Sequence, residues 1–95
     1  MSRALMVTYD LNAPGKDYKR VHDAIKGLGP WWHYLDSTWI AVTPLSPSQA
    51  WDVLAKSFDE TDSCLVVDIT GDSFSGWLPR EAWDWLNKHI YQPAR

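Results

Sequence analysis

Two hydrophobic periodicities alternate along this chain, and their order constrains the fold more than any single residue. Residues 4–10, Ala-Leu-Met-Val-Thr-Tyr-Asp, have period two, so Leu5, Val7 and Tyr9 share one face of a strand and Met6, Thr8 and Asp10 the other. Asn12-Ala13-Pro14-Gly15 then reads as a loop. Tyr18, Val21, Ile25 and Leu28 recur at helical spacing after it, which predicts a helix from about Asp17 to Gly27. From Trp31, WWHYLDSTWIAVT has two β-rich runs around polar Asp36-Ser37, as in a hairpin or a sharply bent pair of strands. Ser46, Pro47 and Gln49 form a capping box that starts a second helix. Its expected buried stripe is Trp51, Leu54 and Phe58, with Ala50 and Val53 beside it. An acidic turn, Asp59 to Asp62, leads into CLVVDIT, a strand with Leu65, Val67 and Ile69 on one face. A GDSFSG loop and Trp77-Leu78 follow, and Pro79 opens a last helix bearing Trp83, Leu86 and Ile90.

The order strand, helix, strand, strand, helix, strand predicts an α+β fold. It is the pattern of a ferredoxin-like βαββαβ sandwich, with antiparallel sheet order 4-1-3-2 and two helices on one face. The other face is expected to carry Met6, Thr8 and Asp10 with Asp68 and Thr70, to be covered by the C-terminal segment or by another molecule. Ninety-five residues suffice for a single domain, with a core over residues 4–70 and a strand or helix appendage over 71–92. The lone Cys64 excludes a disulfide or a cysteine-based zinc site within one chain. No apolar stretch approaches the roughly 20 residues of a membrane span and no signal-peptide pattern opens the chain, so a cytoplasmic location is expected.

A net charge of −3 means that the mean field of the molecule does not attract a polyanion, and any such attraction must be local. Lys16, Lys19, Arg20 and Lys26 gather on and before the first helix, whereas residues 59–84 hold seven acids and only Arg80. The basic group is a candidate phosphate contact, or a solvated helix face. Seven Trp are far above ordinary usage, and Trp31, Trp32 and Trp39 can stack on unpaired bases or fill a core or an interface.

Asp10 ends the first strand where loops converge. It can bind Mg²⁺ together with waters and substrate phosphate, or cap the loop by accepting the backbone N–H groups of Leu11 and Asn12. Asp68 lies too far along its strand to join Asp10, so no two-metal site is expected within one chain. His22, His33 and His89 lack a metal-ligand spacing. GDSFSG lacks the second glycine of a nucleophile elbow, and Gly15-Lys16 lacks the rest of a phosphate loop.

The strand ending Tyr9-Asp10, the helix after it, the segment YLDSTWIAVTPLSPSQAWDVLAKSF with Ser37-Thr38-Trp39, and the last strand after DETDS resemble a known family. This is the small CRISPR-associated endoribonuclease, the dimeric subunit of the spacer-acquisition complex, with the related virulence-associated protein D toxins. The resemblance covers about residues 4–70. It implies a ferredoxin-like homodimer with facing sheets; Met6, Thr8, Trp39 and Trp77 are expected at the dimer interface. It also implies that Asp10 binds Mg²⁺ across the dimer from its counterpart, for cleavage of RNA or DNA. The chain departs from the pattern at Ile40, where the family carries Glu, and in its Trp-rich tail, which points to a specialised relative with a protein partner. A second reading is a non-catalytic dimeric binding or adaptor module, a nucleic-acid scaffold or a toxin-antitoxin or defence-system component.

Overall fold

The computed structural model of the chain describes residues 2–12 and 18–90. Lys16, the Asp17 start expected for the first helix and the last two residues of the appendage lie outside them. The described residues form β1 (Arg3–Asp10), α1 (Tyr18–Lys26), β2 (Trp31–Leu35), β3 (Thr38–Thr43), α2 (Pro47–Leu54), β4 (Ser63–Asp68) and α3 (Arg80–His89). A short 3-10 turn, Ala55–Ser57, extends α2. The fold is α+β, with one antiparallel four-stranded sheet in the order β2-β3-β1-β4.

Strand alternation sorts the core into two halves. Val7 and Tyr9 of β1 with Trp39 and Ala41 of β3 meet Val21 and Ile25 of α1 and Leu54 of α2 on one face. On the other face, Ala4, Trp32 and Ile40 meet Ala82 and Leu86 of α3 and the adjacent Ile90. The sheet is thus sandwiched by helices within one chain, three layers rather than two. The Trp32 indole N–H donates to the Ala82 carbonyl at 3.2 Å, which satisfies a buried donor and fixes where α3 sits.

The capping box forms in full: Gln49 N–H donates to Ser46 Oγ, and Ser46 N–H donates to Gln49 Oε1. The stripe that α2 buries differs from expectation. Ala50 and Leu54, one turn apart, are buried, whereas Trp51 and Val53 are exposed. Eight residues make a narrow buried stripe, and residues flanking the Ala50–Leu54 line fall outside it. The sheet enters β2 through Gly29, whose φ is +153°. A Cβ there would come within 2.0 Å of the Val42 carbonyl oxygen, so both the torsion and the close approach require glycine.

The register of β4 reverses one expectation. Val67 pairs with Met6 and Leu65 with Thr8, so these two apolar residues of β4 lie on the Met6 face, while Val66 pairs with Val7 on the other. Asp68 pairs with Leu5 and therefore lies on the opposite face from Met6, Thr8 and Asp10. There Arg3 Nη1 donates to its Oδ2 at 3.3 Å, and the Thr70 hydroxyl and N–H donate to its Oδ1. The Thr70 hydroxyl in turn accepts the Ala4 N–H at 2.9 Å. The contacts from Thr70, then Arg3, hold the Asp68 carboxyl below the usual range.

Candidate functional site

Two surfaces carry chemistry-bearing side chains. The first lies at the end of β1. Asp10 is exposed, pairs across the sheet with Ser63, and borders an open cleft of about 240 Å³ lined by Thr8, Tyr9, Ser63, Cys64 and Leu65. Its carboxylate forms no hydrogen bond with another described residue. The loop that Asp10 was expected to cap is held from the turn before β4 instead: Asn12 N–H donates to Asp62 Oδ1 at 3.0 Å, and Asn12 Nδ2 donates to the Thr61 carbonyl. Thr8 and Thr38 hydroxyls sit 3.2 Å apart beside it. Burial pushes the Cys64 thiol up to about 11, which disfavours its thiolate at neutral pH.

Among the described residues no three His, Cys, Asp or Glu side chains converge as a metal cage. Among the described residues that line this cleft, Asp10 is the one carboxylate. One exposed carboxylate beside an open cleft is chemically able to ligate a hard cation that keeps most of its waters.

The second surface runs along α1 and the edge strand β2. Tyr18, His22 and Lys26 stand four residues apart on α1, and Trp31 and His33 alternate onto the same side of β2. His33 stacks on Trp39 with ring centroids 3.7 Å apart and planes 11° apart. Its Nε2–H donates to the Asp36 carbonyl at 2.9 Å. Lys26 Nζ lies 4.8 Å from the Trp31 ring centroid and 6.0 Å from that of Trp39, within cation–π range.

A hydrogen-bond chain anchors this surface to the core. Trp39 Nε1–H donates to the Tyr9 hydroxyl at 3.2 Å, and that hydroxyl lies 2.9 Å from His22 Nε2. The bond is made either with the phenol donating to an unprotonated Nε2 or with Nε2–H donating to the phenol, according to the tautomer of the neutral imidazole. Burial, then the His33 and Lys26 charges, lower the His22 imidazole from its ordinary value and favour this neutral form. Burial raises the Tyr9 phenol against the opposing Trp39 bond. At 5% exposure Tyr9 is a core anchor rather than a reacting group.

The expected site residues therefore fall in separate places. Lys19, Arg20 and Lys26 do share the exposed side of α1, where Lys19 pairs with Asp23 at 2.6 Å and Arg20 donates to the Lys56 carbonyl. Met6 and Thr8 lie on the α3 side of the sheet, Met6 half-buried against that helix. Trp39 is 1% exposed on the opposite side, in the core beneath α1, so these expected interface residues do not share one surface. Trp77, in the segment before α3, is 99% exposed. Reading the sequence passed over His22 and His33. The signal was present in the four-residue spacing of Tyr18, His22 and Lys26 and in the shared strand parity of Trp31 and His33.

No helix among the described residues is long and apolar enough to cross a membrane. No protein-family model matches the chain, and no curated protein matches it.

Proposed function

We propose that this chain is a cytoplasmic nucleic-acid-processing protein of ferredoxin-like fold, acting as a homodimer that cleaves phosphodiester bonds with Asp10 at its centre. The observation that carries the reading is the Asp10 carboxylate itself: exposed at the end of a central strand, beside an open cleft, and used by none of the neighbouring loop contacts. A carboxylate not spent on structure is available to a ligand. Asp10 and its counterpart in a second copy would hold Mg²⁺, which when bound supplies an activated water and neutralises phosphate charge. The α3 helix covers the Ala4 end of the sheet, so the dimer would form around the Thr8, Asp10 and Leu65 end, where Leu65 is 58% exposed.

Subunit mixing tests this arrangement. If two Asp10 residues share one site, cleavage by wild type mixed with Asp10→Ala falls with the square of the wild-type fraction. A linear fall contradicts the shared site, and absence of cleavage by wild type contradicts the activity. The second reading, a non-catalytic binding module, draws on the aromatic and basic surface of α1 and β2, which needs no metal to bind an anion.

A further inference from the structure

We infer that the strip formed by Tyr18, His22 and Lys26 of α1 and by Trp31 and His33 of β2 is a binding track for single-stranded nucleic acid, whose bases stack on the exposed rings while its phosphates meet Lys26. This rests on the reading of the chain as a nucleic-acid-processing protein and deepens it by naming the form of the substrate.

The rings run from Tyr18 through His22 to His33, and reach Trp31 through Trp39, which lies beneath them at 1% exposure. The Tyr18 and His22 rings lie 6.2 Å apart, His22 and His33 5.4 Å, and Trp31 and Trp39 5.3 Å, with His33 stacked on Trp39 between them. Its two ends remain open to solvent, Tyr18 at 53% and Trp31 at 43% exposure. From Tyr18 to Lys26 the helix rises roughly 12 Å, the length of about three stacked nucleotides.

Stacking requires unpaired bases, because the faces of bases within a duplex are already covered. Side chains that present ring faces beside a cation therefore select a single strand over a double one. The charge beside the rings comes from Lys26, with Arg20 on the same helix; Lys19 is paired with Asp23, and Asp36 adjoins His33. The ordered parts need no rearrangement. The Tyr9 and Trp39 bonds fix His22, and the Asp36 carbonyl fixes His33, so their rings are held in place before any ligand arrives.

The test is fluorescence anisotropy of labelled oligo-uridine, oligo-thymidine and a duplex of equal length, in EDTA so that binding is read without cleavage. The full chain is expected to bind both single strands more tightly than the duplex. Trp31→Ala and Lys26→Gln should each weaken single-strand binding by at least about fivefold, and Lys26→Gln should also flatten the salt dependence. Thermal melts identify variants that remain folded, and Lys26, being exposed, provides one that does not depend on the core. Equal affinity for duplex and single strand, or wild-type binding by a folded Lys26→Gln and Trp31→Ala, overturns the proposal. Equally tight binding of poly-glutamate overturns it too and assigns the strip to acidic polypeptides. Loss of this preference with metal-dependent cleavage retained would sink the track alone and leave the Asp10 reading standing.

Discussion

The Tyr9 hydroxyl and His22 Nε2 lie 2.9 Å apart, joining the buried end of β1 to the outer side of α1. Protonating the imidazole places a charge in a half-buried site against the Tyr9–Trp39 bond. His22 is held below its ordinary value of 6.5, so below that value the unfolded chain binds the proton more readily than the folded one. The stability contributed by neutral His22 is therefore present above the unfolded value and lost as pH falls through the folded one. Melting temperature should drop between about pH 8 and pH 5 in wild type and change less in His22→Gln. Identical profiles would show that His22 does not carry the effect.

Tyr9→Phe removes the acceptor that the buried Trp39 indole uses among the described residues, as well as the bond to His22. A loss of about 1–3 kcal/mol in chemical denaturation is expected, with little change in the denaturant slope. A neutral substitution would mean that water or another group replaces the phenol.

The packing of α3 on the sheet makes Leu86, 4% exposed, a core residue. Leu86→Ala should cost about 2–5 kcal/mol, and truncation after Thr70 should uncover Trp32 and Ile40 and cause aggregation or dissociation. A truncated chain that sediments and melts as the full one does would contradict the three-layer arrangement.

At the start of β1, the chain from Ala4 N–H through Thr70 to Asp68 closes the sheet against its last strand. Thr70→Val, which keeps the shape and removes the hydroxyl, should cost about 1–2 kcal/mol by leaving the Ala4 amide without its partner. Hydrogen exchange at Ala4 should accelerate with it. Unchanged protection would place the amide's partner elsewhere.

Most of the fold was legible in the sequence because local chemistry and global pattern agree. Alternation in β1, the polar pair Asp36-Ser37 and the Ser46 capping box each mark an element that the structure places at the expected residues. The sheet order followed from the order of the elements. The face of β4 was not legible. Its apolar residues occupy both parities, and a shift of one residue exchanges Asp68 for Val67, so only the pairing with β1 decides. The exposure of Trp51 and the burial of Trp39 were equally out of reach, since both are Trp beside apolar neighbours and only tertiary packing separates them. The aromatic strip joins a helix to an edge strand, and its residues become neighbours only once α1 is laid on the sheet.

The central claim is that Asp10 is a reacting centre rather than a structural acid. Labelled single-stranded RNA and duplex DNA should be incubated with wild type and Asp10→Ala, with Mg²⁺ or with EDTA, while light scattering reports the mass of each protein. The account predicts metal-dependent cleavage by wild type, its loss in Asp10→Ala by a factor of at least about 100, and a dimer in both cases. Cleavage that persists in Asp10→Ala, or no cleavage by a correctly folded dimeric wild type, would contradict it.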